Sequence, residues 1–177
     1  MTRSSRLILA ALSALALAAC GASETKTVTV PDGKGGSATV KTTEKGDTQE
    51  VTITGKDGKT TATISAGGDG AAAPANLPAF APVYPGAKIE SSIVGSGPEG
   101  SGGVLVLSTP DAPDKVAAFY DARISGAGLG DVTRFTNNEM RMIGGSAGEK
   151  GPSANVTIAP NPAGGTQINL IYVPAPK

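Results

Sequence analysis

The stretch Val104 to Gly128, "VLVLSTPDAPDKVAAFYDARISGAG", decides the fold. Val104-Leu105-Val106-Leu107 is an unbroken aliphatic run, which suits a central strand covered on both faces. The period then changes. Val116, Phe119, Tyr120, Arg123, Ile124 and Ala127 recur at three and four spacing, while Lys115, Asp121 and Ala122 fall elsewhere, so the segment predicts a helix with one apolar stripe. Thr109 or Asp111 is the candidate N-cap, Pro113 and Asp114 fill the first turn, and Gly126 or Gly128 is the stop. Burying Val116, Phe119, Tyr120 and Ile124 contributes on the order of 6 to 10 kcal/mol before conformational entropy is subtracted. Such a helix staples a sheet.

Working outward, Lys88 to Val94 alternates Ile89, Ser91 and Ile93 as a strand would. Downstream, strands are expected at Val132 to Thr136 and Glu139 to Ile143 around an Asn137-Asn138 turn, then at Asn155 to Ala159 and Gln167 to Val173 around "PNPAGG". The order β-β-α-β-β-β-β predicts an α+β domain over residues 77–177, an antiparallel β-sheet with one packed helix. One helix covers one face. The other is open to the N-terminal part of the chain or to a partner.

Upstream, residues 24–66 alternate β-branched pairs with the turn clusters "PDGKGG", "EKGD" and "KDGK". Four short strands are expected, Thr27 to Val30, Ala38 to Thr43, Glu50 to Thr54 and Thr60 to Ser65, forming a small four-stranded β-meander. Val28, Val30, Ala38, Val40, Val51, Ile53, Ala62 and Ile64 share one face under period-two alternation. A meander of such small side chains buries little, so it is expected to lean on something else. "VTV" before Asp32-Gly33-Lys34 and "VTI" before Asp57-Gly58-Lys59 look like a repeat. As calcium ligands, Asp32 and Asp57 each supply one carboxylate where six to eight oxygens are needed; as Asp-Gly hairpin turns they need nothing more. Residues 67–86, "GGDGAAAPANLPAFAPVYPG", form a Gly/Ala/Pro-rich linker, because prolines at 74, 78, 82 and 85 preclude a central strand or a long helix. Leu77, Phe80, Val83 and Tyr84 are too apolar for a free tether, so its second half is expected to pack on the following domain.

The N-terminus carries Arg3 and Arg6, then an apolar run from Leu7 to Ala19. At about 13 residues it is shorter than the 18 or more a membrane-spanning helix needs, and it reads as the hydrophobic region of a signal peptide over residues 1–19. The only cysteine of the 177 residues, Cys20, follows at once. Leu17-Ala18-Ala19-Cys20 resembles the lipobox of bacterial lipoproteins. The resemblance implies alkylation of the Cys20 thiol by a diacylglycerol unit, cleavage before it and acylation of the new amine, leaving residues 20–66 as a lipid-anchored N-terminus and meander. A thiolate is the most nucleophilic side chain available for this, whereas an unpaired thiol on a secreted chain is an oxidation hazard. Two or three acyl chains hold a protein on a membrane where one gives only marginal binding. The resemblance places the mature chain outside the bilayer on the non-cytoplasmic side. In a Gram-negative envelope, Gly21 rather than aspartate implies the periplasmic face of the outer membrane.

Composition excludes several chemistries. There is no histidine and no tryptophan, which removes His-dependent triads and His-ligated metal sites. Losing the two signal-peptide arginines from a balanced 15 basic and 15 acidic side chains leaves a slight negative charge, with no basic block to attract nucleic acid or an anionic membrane. "GSGPEG" at 95–100 has the glycine spacing of a dinucleotide turn, but a strand follows where the pyrophosphate needs a helix N-terminus. Asp111 and Asp114 are explained by the helix dipole. Glu99, Glu139 and Glu149 fall at turns or strand edges. Arg123 either recognises a carboxylate or glycan, or lays its stem over the core.

No catalytic, cofactor or metal residues are therefore assigned, and Cys20 is the single site residue, for lipidation. The expected function is a non-catalytic binding or interaction module. It would use the open sheet face or the Phe80 and Tyr84 connector against another envelope protein or a cell-wall polymer, with the membrane engaged through the lipid and the oligomeric state open. The alternatives are an envelope hydrolase using carboxylates and a structural spacer without a specific ligand.

Overall fold

The structure, a computed structural model, describes residues 24–31, 37–45, 48–55, 61–66, 71, 73–97 and 100–175. Cys20 and the signal segment, the turns carrying Asp32 and Asp57, and Glu99 lie outside the described residues. The helix α1, Pro113–Gly126, rests on an antiparallel sheet. Before it come β1 (Glu24–Pro31), β2 (Ser37–Lys45), β3 (Thr48–Thr54), β4 (Thr61–Ala66), β5 (Lys88–Gly97) and β6 (Gly100–Thr109); after it come β7 (Thr133–Asn137), β8 (Met140–Ser146), β9 (Ser153–Pro160) and β10 (Thr166–Val173). The class is α+β, an antiparallel sheet with one helix, as the change of period at Val104 to Gly128 implied.

The strands join in one 10-stranded sheet of order β1-β2-β3-β4-β5-β6-β10-β9-β8-β7. The chain leaves the middle of the sheet at β6 and crosses β9 and β8 as α1. It drops to the far edge as β7 and returns strand by strand to lay β10 beside β6. The meander does not pack on the face of the sheet. It extends the edge instead, with β4 pairing β5 through Ile64 opposite Ile93.

The helix-facing side is the core. Leu105 and Leu107 of β6, Ile143 of β8, Val156 and Ile158 of β9, and Ile168 and Leu170 of β10 are buried there with Val116, Tyr120 and Ile124 of α1. Gly145 of β8 lets the helix end come close, since a Cβ at that position would stand 2.7 Å from the Ile124 side chain. The second half of the linker joins this core: Ala81 and Tyr84 are buried, and Leu77, Phe80 and Val83 pack against them.

Three local expectations are corrected. The helix N-cap is Ala112, without a side-chain cap bond, because Thr109 and Asp111 are engaged elsewhere; Pro113 opens the helix, and Gly128 at φ 68° lies just beyond its end. Ile89 and Ile93 do not share a face. A β-bulge between Ile89 and Ser91 inserts one residue opposite Val106, so Ile89 pairs Leu107 on the buried side while Ile93 pairs Val104 on the other. Val104 to Leu107 is covered on one face only, Leu105 and Leu107 being fully buried while Val104 and Val106 are half-buried on the open side.

Candidate functional site

Registers across the sheet place the large exposed hydrophobic residues on the side away from the helix. Among the described residues these are Val28, Val30, Ile93, Phe135, Ile171 and Val173, with Ile93 47%, Phe135 47% and Ile171 49% exposed. The pairing chain Val28, Val40, Ile53, Ala62, Gly95 carries that face from β1 into β5. At the centre runs a cross-strand ladder, Val51–Ile64–Ile93–Val104–Ile171, direct neighbours over β3, β4, β5, β6 and β10. Beyond Ile171 the row turns polar at Asn155 of β9.

Period-two alternation builds this ladder, and the bulge in β5 completes it. Without the extra residue, Ile93 would point into the core and break the row between Ile64 and Val104. Charge lies at the margins. Glu24 and Lys26 form an ion pair at 3.2 Å and Gln49 donates to Glu44 at 3.3 Å at the outer corner of the meander; Ser108 donates to Glu90 at 2.6 Å beside the β5 bulge. The opposite face of the meander is hydroxylated, with Thr27, Lys41, Thr52 and Thr63 in one row. The meander thus presents threonine on one side and aliphatic side chains on the other, exposed at Val28 and Val30 and half-buried at Val40, Val51, Ile53 and Ile64.

The other candidates of the sequence are engaged in structure. Tyr84 is buried, and its hydroxyl donates to Asp111 Oδ2 at 2.8 Å, so it is not displayed to a partner as the connector expectation required. Lys115 Nζ lies 2.9 Å from the same oxygen. Thr166 Oγ1 donates to the Asp111 carbonyl at 2.6 Å, and the Asp111 amide donates to Thr109 Oγ1 at 3.3 Å. Lys115 first, and the Tyr84 hydroxyl second, hold the Asp111 carboxyl below the usual carboxylate range. Burial, and then the Asp111 carboxylate, push the Tyr84 phenol up. This is a clamp that locks the linker to the start of α1. Sequence reasoning missed it, since Tyr84 and Asp111 are 27 residues apart.

Tyr84, Phe119 and Tyr120 stack around the clamp, Phe119 meeting each of the other two edge-on at 5.1 Å. The Tyr120 hydroxyl donates to the Pro82 carbonyl at 3.1 Å. The Arg123 guanidinium sits 5.2 Å over the Phe119 ring, beside an open groove of about 480 Å³ lined by Ala79, Phe80 and Ala127. Its contact there is a stacked, stem-over-core arrangement. Asp121 is held by Arg134, at 2.6 Å, and Asp114 by Arg141, at 3.0 Å. Asp111, Asp114 and Asp121 are thus each paired with a cation of their own, and the structure does not bring them together as a pair. Glu139 and Glu149 are exposed.

With this geometry in view, a START domain-like family matches residues 89–166, a little under half of the chain, from the second residue of β5 to the first of β10. The chain is similar to that family across the helix and the strands flanking it. No curated protein and no solved structure matches the chain.

Proposed function

We propose that the protein is a lipid-anchored envelope lipoprotein that acts as a non-catalytic interaction module through the open face of its sheet. The observation that carries the reading is the Val51–Ile64–Ile93–Val104–Ile171 ladder. Exposed apolar side chains gathered on one face, as Ile93 and Ile171 are here, mark interaction sites more than the same residues scattered singly. An antiparallel sheet commonly packs one face on its core and gives polar side chains to the other. Here the helix and linker cover one.

The finer organisation belongs to the same proposal. The four-stranded meander and the Pro-rich connector lead into the β-β-α-β-β-β-β unit, and the meander's role is to widen the apolar face while its threonine side meets water. Cys20 supplies the anchor through the lipobox Leu17-Ala18-Ala19-Cys20, putting the mature chain on the non-cytoplasmic side of a membrane. In a Gram-negative envelope that is the periplasmic face of the outer membrane. β1 begins four residues after Cys20, which keeps the sheet near the bilayer surface. The ion-paired carboxylates support a structural rather than hydrolytic role for Asp111, Asp114 and Asp121.

Metabolic fatty-acid labelling tests the anchor: the wild type takes up label and fractionates with membranes, and Cys20→Ala does neither. Recovery of a stoichiometric partner from detergent-solubilised membranes, lost in an Ile93→Asp/Ile171→Asp variant that keeps its circular dichroism, tests the face. Equal recovery by both proteins contradicts it.

A further inference from the structure

We infer, resting on the reading of the open face as a binding surface, that the polar end of that face is a site for a neutral saccharide. Beyond Ile171 the central row continues through Asn155 and Gly144 to Thr133, and the next row on the same face pairs Ser146 with Ser153. With Asp131 at the rim, these residues line an open recess of about 440 Å³. Sites for small ligands span roughly 300 to 1,000 Å³.

The recess holds features that the fold itself does not use. Gly145 makes room for Ile124 on the buried side, but a Cβ on Gly144 would meet only Asn155 and Ala154, standing 3.2 Å from the Asn155 amide nitrogen. The missing side chain therefore lets that amide lie over β8. A glycine inside a strand weakens it and marks a close approach. Among the described residues, the side chains of Asn155, Ser153 and Asp131 make no hydrogen bond or ion pair, and Ser146, which donates to the Gly148 carbonyl at 3.0 Å, keeps its acceptor lone pairs.

Asp131 is also held in an uncommon conformation. It is one of two non-glycine residues at positive φ among the described residues, at 48°; the other, Asn138, lies in the β7–β8 turn, where asparagine is favoured. The Ser146 amide donates to the Gly130 carbonyl at 3.1 Å and so pins the segment carrying Asp131 beside the recess. Asp111, Asp114 and Asp121 each face a cation. Asp131 faces none among the described residues, and a strained, unpaired carboxylate at a cavity rim fits a group kept for a ligand.

The lining selects the chemistry. No lysine or arginine borders the recess, so the Asp131 charge disfavours phosphates and other anions. A single carboxylate also falls short of the oxygen cage that calcium needs. A neutral molecule dense in hydroxyls is complementary: its O–H groups donate to Asp131 and accept from the Asn155 amide and the Ser153 hydroxyl. Its C–H face meets exposed Ile171, and exposed Phe135 stands two residues from Thr133 on the same side of β7. A sugar ring divides its surface in this way.

The test is titration of the full-length chain, in a polyoxyethylene detergent without sugar headgroups, with maltotetraose, mannotetraose and chitotetraose, and with tetragalacturonate as an anionic counterpart. At least one neutral tetrasaccharide should bind at millimolar concentration. Affinity should fall at least tenfold in Asn155→Ala and in Asp131→Gly, which removes the carboxylate but suits the positive φ, with circular dichroism unchanged in both. Ile93→Asp, outside the recess, should bind as the wild type does. Binding reproduced by the monosaccharide makes the ligand a free sugar, and binding by the tetrasaccharide alone makes it a segment of a glycan chain. No binding of any neutral glycan, tighter binding of tetragalacturonate than of all three, or full affinity in both recess variants overturns the site. If the glycans fail while a stoichiometric partner is still lost in the Ile93→Asp/Ile171→Asp variant, this site alone fails and the face remains an interaction surface; if no partner is lost either, both fail.

Discussion

Tyr120 does two jobs that substitution separates. Its ring is fully buried against the core, and its hydroxyl ties α1 to the linker at Pro82. Tyr120→Phe should cost about 1 kcal/mol, the net worth of one hydrogen bond, and Tyr120→Ala about 3 to 5 kcal/mol through the cavity it leaves. Denaturant unfolding of both variants checks this, and equal losses would contradict the division. The exposed Asp121 and Arg134 pair, despite its 2.6 Å contact, should respond weakly. Asp121→Ala is expected to shift stability by less than about 1 kcal/mol, and less still in high salt.

The same residues set the response to pH. Asp111 and Asp121 titrate below the usual carboxylate value because Lys115 and Arg134 favour their charged forms. Their contribution is complete above the unfolded pKa of about 4 and is lost as pH falls from there through the lowered folded values. Asp111→Asn should therefore flatten the acid limb of the stability curve. At the other end, burial raises all three tyrosines, Tyr84, Tyr120 and Tyr172. A raised folded pKa stabilises below the unfolded value of about 10 and is lost as pH climbs through the folded ones. Unfolding measured across the alkaline range should show stability falling from about pH 10, with the folded protein's phenols ionising later than those of the denatured chain.

At the scale of the element, the close approach of β8 to α1 is testable at Gly145. A Cβ there meets Ile124 at 2.7 Å and Leu129 at 3.2 Å, so Gly145→Ala should destabilise by about 1 to 3 kcal/mol through overpacking. Thermal unfolding with an unchanged midpoint would contradict this. The elements were largely legible because their periods are clean: three and four spacing in the helix, and two in the meander, whose eight apolar residues do share one face. What was not legible depended on partners distant in sequence. The strands of the β5–β6 hairpin run on through Gly95, Gly97, Gly100, Gly102 and Gly103, where hydrogen bonding persists but glycine gives no side-chain pattern. The bulge at Ile89 to Ser91 inverts parity without any local turn signal. The N-cap moved to Ala112 because Asp111 is taken by Tyr84, a long-range contact that local capping rules do not see.

At the scale of the whole molecule, the sheet is thick at one end and bare at the other. β9, β10 and β6 lie under the helix and linker, whereas β1 is exposed along its whole length and forms the sheet edge. Amide hydrogen exchange should be slowest in β6, β9 and β10 and fastest in β1 and β2, because local opening follows the density of buried contacts. The apolar side of the meander was visible in sequence as a weak face in search of support. That it continues into Ile93, Val104 and Ile171 became visible only with the strand order. The most direct measurement of whether this face is covered in place is the accessibility of a thiol at Ile171→Cys in intact envelopes, compared with Ala122→Cys on the helix exterior. The account predicts that Ile171→Cys labels at least tenfold more slowly than Ala122→Cys, and that the difference disappears on denaturation. Equal labelling rates in the intact envelope would contradict it.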